Sequence, residues 1–391
     1  MKAIIMAGGE GSRLRPLTCD LPKPMTTLLD KPVMAYSLEL LKRHGITEVG
    51  TTLMYLPERV QAFFGDGEAY GVSLSYFVEH APLGTAGSIH LAEDFLDETF
   101  VVLSGDGVTD CDLTRAIAFH REKGAMATLV LHHVENPLEY GVVITDAEGR
   151  VKRFVEKPGW GEVFSDTVNT GIYILEPAVL ERIPGDRPFD FGRDLFPQMA
   201  ERGEAVYAWT MNGYWCDIGD ISAYLKAHVD AMDGRIDLPV NARRGGVVRM
   251  PGSRVDRSAV LEGPCYIGEG AVVGAGARVG AYSVVGAGSV VGEGASLKRA
   301  VLWRGAYVGA GAQARCCVLM DGARMEPDSA AFEESVLGGG AVLGAGAAMM
   351  PGVKVWPKKK IGAGMRLDAN VVWGSTERAS FERGCLRLDS P

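Results

Sequence analysis

The 391-residue chain is longer than one ordinary hydrophobic core and long enough for two domains. Its 47% apolar and 23% charged residues suit a folded globular protein, and no run of about 18 uncharged apolar residues offers a membrane span. A formal net charge of −9 argues against a nucleic-acid or anionic-membrane partner, so any phosphate it binds must meet a local positive site. The seven cysteines form no CxxC and include the neighbours Cys316 and Cys317, which reads as structural thiols in a reducing compartment rather than a disulfide framework.

The chain opens with MKAIIMAGGEGSRL, an apolar run too short for a signal peptide, so residues 2–7 are expected as a buried strand and the protein in the cytoplasm. Pro32 starts a predicted helix in which Met34, Leu38 and Leu41 share a face and Gly45 ends it, followed by a strand over residues 49–54. FVVLSGD is a further buried strand ending at Asp106, and Asp112 caps the helix LTRAIAFHREKG. Strands alternating with amphipathic helices over residues 1–232 predict an α/β domain, whose ligands bind at the carboxyl ends of the strands.

Helical periodicity stops and glycine rises over residues 233–249, which reads as a linker. Beyond it an apolar residue returns every six positions at Val255, Leu261, Ile267, Val273, Val279, Val285, Val291, Leu297 and Trp303. The register slips at Val308, continues through Ala314 and Met320, meets an irregular stretch, EPDSAAFEES, and resumes from Leu337 to Leu367. So sustained a period over residues 250–374 predicts a hexapeptide β-helix, with 375–391 left as a tail.

The first strand runs into Gly8-Gly9-Glu10-Gly11-Ser12-Arg13, where glycines let backbone amides approach an anion. Leu14 stands where a dinucleotide fingerprint needs its third glycine, and no GK[ST] follows as in a P-loop. Arg13, Arg15 and Lys23 are cations for a triphosphate, although the same residues also describe a tight turn beside a solvated basic loop. Taken alone, Asp106 before Gly107 also reads as a turn residue, Asp217 as a helix cap, Lys157 before Pro158 as an exposed loop charge more often than a ligand, and Thr85 as a helix start. Asp110 and Asp112 are assigned turn and cap roles, and the adjacent His132 and His133 point to opposite faces of a strand, which speaks against a shared metal.

GGEGSRLRPLTCDLPKPM resembles the signature of the sugar nucleotidyltransferases, the pyrophosphorylases that make nucleotide sugars. PLGTAGSI, LSGDGVTDCDL, EYGVV, FVEKP, NTGIYIL and GYWCDIGD follow in the family's order. The resemblance implies a Rossmann-like nucleotidyltransferase domain with a mixed sheet, followed by a left-handed parallel β-helix. It implies that Gly8, Gly9 and Gly11 cradle the nucleotide, Gly84 and Thr85 read the base, and Arg13 and Lys23 stabilise phosphate charge. Asp106 and Asp217 match the aspartates that hold Mg²⁺. Lys157 matches the sugar-phosphate lysine, with Gly141, Glu156 and Asn169 at the sugar. The expected substrates are a nucleoside triphosphate and a sugar 1-phosphate, and the blocks look most like mannose-1-phosphate guanylyltransferases, with glucose-1-phosphate thymidylyl-, uridylyl- or adenylyltransferases as the alternative.

Two other readings compete. A hexapeptide acyltransferase needs a histidine base, yet all seven histidines precede the repeats, so the β-helix is expected to serve assembly of a homo-oligomer or regulation. A non-catalytic nucleotide-sugar-sensing subunit would usually lose a charged site residue, whereas Arg13, Lys23, Asp106, Lys157 and Asp217 are all present.

Overall fold

Alternation along KAIIM sends Ala3 and Ile5 of β1 (Lys2–Met6) into one core and Ile4 into another, all fully buried. A strand buried on both faces calls for parallel neighbours covered by helices. The computed structural model, which describes all residues except 160, 162–164, 186, 239–245 and 375–391, supplies them. Strands β2 (Glu48–Leu53) and β4 (Phe100–Ser104) flank β1 in parallel, and β3 (Ser73–Val78) pairs with β2.

Helix α1 (Val33–Arg43) lays Met34, Leu38 and Leu41 on the Ala3 and Ile5 side. It ends where Gly45 takes φ 76° and Ile46 N–H donates back to the Leu41 carbonyl at 2.9 Å, a glycine-closed C-terminus. Helix α2 (Pro57–Phe64) packs Val60 and Phe64 into the same core, while α3 (Gly84–His90) covers the opposite face with Ala86 and Ile89. After the short β5 (Gly107–Thr109), Asp112 accepts the Arg115 N–H at 3.0 Å and starts α4 (Leu113–Lys123), as its cap role predicts.

The second half turns the sheet mixed. Strands β6 (Ala127–His133), β7 (Gly141–Thr145) and β8 (Val151–Glu156) lead to the long β9 (Thr167–Leu175), which runs antiparallel to β4, β6 and β7. Its register shifts between Asn169 and Tyr173, with Gly171 at φ 75° inside the shift, so Asn169 sits at a bulge beside the ends of β1 and β4. Helix α5 (Phe196–Glu201), β10 (Val206–Thr210), β11 (Trp215–Asp217) and α6 (Ile221–Met232) complete the unit, and β11 pairs antiparallel with β5, setting Asp217 opposite Gly107. The result is the Rossmann-like mixed α/β sheet.

The chain divides into two compact units, Met1–Val240 and Asn241–Pro391. Part of the 233–249 linker and the whole 375–391 tail lie outside the described residues. Val247–Arg249, at the end of the segment read as linker, is already a strand, parallel to Cys265–Ile267.

The second unit is a left-handed parallel β-helix of three seven-stranded sheets. Ile267, Val273, Val279, Val285, Val291 and Leu297 point inward as the six-residue period predicts. Two details differ from the sequence reading. The slip occurs at Leu302, which joins the cluster inside the coil while Trp303, though buried, does not, and a second short step brings in Leu319 instead of Met320. Both short corners use a non-glycine residue in the left-handed region, Arg299 at φ 52° and Cys316 at φ 44°. The stretch EPDSAAFEES is not irregular: Met325, Ala331 and Leu337 keep the period, and alanine hides it because its small side chain gives little apolar contrast with its neighbours.

Candidate active site

Ligand chemistry gathers where β1 and β4 end. Gly11 takes φ 63°, Thr18 Oγ1 donates to its carbonyl at 2.8 Å, and a Cβ there would stand 3.0 Å from both Thr18 Cγ2 and Lys23 Cβ. The glycine therefore lets the turn close directly onto Lys23. A Cβ on Gly9, in contrast, would meet nothing within 4 Å, so this face of the turn is open. Arg13 is more than half exposed and pairs with Glu139 at 3.5 Å.

Lys23 is 9% exposed, and its Nζ lies between two carboxylates, 2.5 Å from Asp106 Oδ2 and 3.1 Å from Asp217 Oδ1. Burial opposes its charge, but the two aspartates overcome that and raise its pKa. Burial also pushes the Asp106 carboxyl up, yet the Lys23 charge and hydrogen bonds from Lys23 and Ser104 leave it below the usual range. Asp217 moves the other way, raised by burial and by the Asp106 charge. The β5–β11 ladder makes this meeting possible, and Asp110 supports it: Oδ1 accepts the Tyr214 N–H at 2.7 Å just before β11.

Three lobes of a cleft open around this centre. One, of about 300 Å³, is lined by Gly8, Gly9, Glu79, Gly84, Thr85 and Asp106. Another, of about 200 Å³, gathers Arg13, Asp106, Gly141, Glu156, Lys157, Asn169 and Asp217. The last, of about 300 Å³, shares Glu156 and Asn169 and adds Asp190 and Arg193. Gly141 is required there, since a Cβ would sit 2.8 Å from Glu156 Oε2 and 2.6 Å from the Phe154 ring. Burial raises the Glu156 carboxyl, countered by Lys157 and Arg193. Lys157 sits in the left-handed region at φ 47°, and Asn169 Nδ2 donates to Tyr173 Oη at 2.8 Å.

Of the thirteen site residues named from the sequence all but Gly11 and Lys23 line one of these lobes; Lys23 lies between Asp106 and Asp217, and Gly11 packs against it. Thr85 is already engaged: its N–H and its hydroxyl both donate to Asp190 Oδ1 at 3.0 Å, and the hydroxyl accepts the Phe191 N–H. These bonds tie the Gly84–Thr85 turn to the segment around Asp190 and Phe191. Gly84 is fixed by φ 74° and by the Phe189 carbonyl, 2.7 Å from where a Cβ would stand. Sequence reasoning missed Glu79, Ser104 and Asp190. Ser104 carried a signal, lying two residues before Asp106 at the end of a buried strand; Asp190 carried none.

A glycine turn at the carboxyl edge of an α/β sheet, a lysine clamped by two aspartates and a polar cleft on either side define a phosphate-transferring α/β enzyme. Residues 2–234 match the Nucleotidyl transferase family, and the chain belongs to that family. Residues 261–372 match the GMPPB C-terminal domain. A UTP–glucose-1-phosphate uridylyltransferase of Synechocystis sp. is 39% identical over 289 residues, covering 68% of this chain and 74% of the relative. An Arabidopsis thaliana protein assigned as mannose-1-phosphate guanylyltransferase 2 is 39% identical over 281 residues, 68% of this chain and 75% of the relative. Among solved structures, a Bacillus anthracis protein assigned as a glucose-1-phosphate thymidylyltransferase, in complex with a sucrose, is 27% identical, with a TM-score of 0.54 over 62% of this chain and 97% of that one.

Proposed function

We propose that this chain transfers the guanylyl group of GTP to mannose 1-phosphate, giving GDP-mannose and pyrophosphate. The observation that carries a two-substrate transfer is that the glycine-lined lobe and the Lys157 lobe share Asp106, so groups bound in each meet beside Lys23. The guanylyl and mannose assignments draw on the match of residues 261–372 to the GMPPB C-terminal domain and on the Arabidopsis relative. UTP with glucose 1-phosphate is the second reading, because the Synechocystis relative is equally identical. Initial rates of pyrophosphate release, giving kcat/KM for GTP with mannose 1-phosphate against UTP, dTTP and ATP with glucose 1-phosphate, decide between them. A preference for any of the latter pairs overturns the substrate assignment.

The chemistry is an in-line attack of a sugar-phosphate oxygen on the α-phosphorus, which asks for alignment and charge neutralisation and not for a protein nucleophile. In this reading the amides of Gly8, Gly9 and Gly11 face the triphosphate, and the Gly84–Thr85 turn shapes the base lobe. Lys157, Glu156, Asn169 and Gly141 hold the sugar phosphate. Lys23 neutralises charge at the junction, and Arg13 joins it on leaving Glu139, a weak and exposed pairing.

A divalent cation fits the donor set. Asp106 and Asp217 offer hard oxygens, and the Lys23 ammonium already occupies a cation's place between them. Among the described residues no cluster of three or more His, Cys, Asp or Glu forms a complete metal cage, as suits Mg²⁺ that takes its other ligands from phosphate and water. Bound there, Mg²⁺ would supply neutralisation of phosphate charge.

Residues 1–232 act in this proposal as the catalytic domain of a cytoplasmic homo-oligomer that associates through the β-helix of residues 250–374. Exposed apolar side chains at the two ends of the β-helix, Val247 and Trp373, support a role in assembly. No helix among the described residues is long and apolar enough to cross a membrane.

A further inference from the structure

Asp217 stands on β11, a strand of three residues whose only strand neighbour among the described residues is the equally short β5. A two-stranded ribbon of that length is marginal by itself, yet this one has to hold Asp217 beside Lys23 and Asp106. At the end of the ribbon away from Asp217, Asp110 adds one more pair to the ladder. Its N–H donates to the Tyr214 carbonyl at 3.2 Å, and its carboxylate Oδ1 accepts the Tyr214 N–H at 2.7 Å. Thr109 Oγ1 donates to the same Tyr214 carbonyl at 2.8 Å.

The other carboxylate oxygen, Oδ2, accepts the Asp237 N–H at 3.2 Å, from the chain that returns after α6. One side chain thus closes the segment from Tyr214 to Asp237 at both ends, and Asp217 lies within it. Tyr214 is held again by its hydroxyl, which donates to Asp230 Oδ2 of α6 at 2.9 Å. Gly213 makes room for the carboxylate, since a Cβ there would stand 2.5 Å from Asp110 Oδ1. No positive φ calls for glycine at that position, so space alone explains it. Asp110 lines none of the three lobes of the cleft, and both of its oxygens are engaged by backbone donors. Hydrogen bonds to an ionised acceptor are stronger than neutral ones, which suits a brace rather than a ligand.

We propose that Asp110 is a positioning residue for the transfer, a clasp that fixes β11 and so keeps the Asp217 carboxylate at the junction where phosphate and its cation meet. The inference rests on the nucleotidyl-transfer reading above and requires no particular base or sugar.

Two substitutions loosen the clasp in different ways. Asp110→Asn keeps the size of the side chain but turns an amide donor towards one of the two N–H groups. Gly213→Ala keeps the carboxylate and pushes it off the Tyr214 N–H. With whichever triphosphate and sugar 1-phosphate the wild-type protein uses best, each is expected to lower kcat roughly 10- to 100-fold, the loss of one charge-assisted hydrogen bond. KM for the triphosphate should stay within about threefold, because the glycine turn is untouched. The double variant should lose little more than the worse single one, since both break the same bond.

Hydrogen exchange of the nucleotide-free proteins, read by mass spectrometry, reports on β11 without turnover. Amides of residues 214–218, among them the Ile218 N–H that donates to the Asp106 carbonyl at 3.2 Å, should exchange roughly tenfold faster in both variants, while β1 and β4 keep their wild-type rates. If Asp110→Asn does not fold, Gly213→Ala carries both measurements. A kcat within about threefold of wild type, or unchanged exchange over 214–218, overturns the clasp, and so does exchange that quickens throughout Met1–Val240, which marks a general brace of the fold. A wild-type protein that transfers no nucleotidyl group to any sugar 1-phosphate defeats the transfer reading and this role with it, whereas the preceding outcomes in an active protein defeat the role of Asp110 alone.

Discussion

Replacing Lys23 with methionine removes a cation of nearly the same length from between two partly buried carboxylates and leaves them facing one another. Breaking a buried ion pair costs about 3–5 kcal/mol. The Asp106 and Asp217 side chains keep 28% and 25% exposure, so water screens part of the repulsion and the lower end, about 3 kcal/mol, applies. For a cooperative unit the size of Met1–Val240 each kcal/mol moves the melting temperature by about 2–4 °C, which predicts a drop of about 6–12 °C in chelator. A divalent cation that binds the freed carboxylates should return much of this: at 100 times its dissociation constant it adds about 2.7 kcal/mol. The parent, whose ammonium holds the same place, should respond far less. Scanning calorimetry of both proteins in EDTA and in excess Mg²⁺, without nucleotide, measures all four values. If Lys23→Met in EDTA melts within about 2 °C of the parent, or if Mg²⁺ raises both proteins equally, Lys23 is not the internal counter-ion of the aspartate pair.

Asp106→Asn and Asp217→Asn should each remove most Mg²⁺-dependent turnover while leaving the fold, because an amide is a poorer ligand for a hard cation; near-normal rates at saturating Mg²⁺ would exclude that residue from the metal site. Gly9→Ala meets no atom within 4 Å, so its melting temperature should hold while kcat/KM falls at least tenfold, since the methyl enters the space where phosphate must approach; unchanged kinetics would move the phosphates elsewhere. His228 is fully buried, accepts the Leu29 N–H at 3.2 Å and has its pKa lowered by burial to about 4, whereas the unfolded chain takes up its proton near 6.5. Its stabilisation is therefore complete above pH 6.5 and is lost as pH falls towards 4, about 3 kcal/mol in all, and His228→Gln should flatten the dependence of stability on pH in that window. Removing everything after Met232 should lower the sedimentation mass to that of a smaller assembly; an association number unchanged at equal concentration counts against the β-helix as the assembly element.

Local patterns carried the fold well. The KAIIM alternation, the Met34, Leu38 and Leu41 face, the Asp112 cap and the six-residue repeat each depend on neighbours within a few positions, and each appears in the structure. The repeat was misread where contrast failed. Trp303 is larger than Leu302 and drew the period to itself, although the shortened corner at Arg299 turns Leu302 inward. Ala331 looked like part of an irregular stretch because its buried methyl is no larger than those on the surface around it.

The site divides along the same line. The glycine turn and its cations lie within sixteen positions of sequence, and a strand-to-turn motif already implies their chemistry. Asp217 belongs to the site only because β11 returns to pair with β5, which nothing within either segment announces. Nothing in the sequence around Glu79 marks it, and only the close approach of Gly8, the Leu83 N–H and its burial make it a wall of the cleft. The net charge of −9 sharpens the point, since the chain as a whole repels the anions it is proposed to bind. Lys23 resolves that conflict before any ligand arrives: it lets two carboxylates be buried at the junction of the lobes and keeps a positive charge where phosphate must come. In the proposed reaction, ligand binding would be an exchange of partners around Lys23, its ammonium passing from carboxylate to phosphate oxygens, so that no further protein cation has to be buried to meet them.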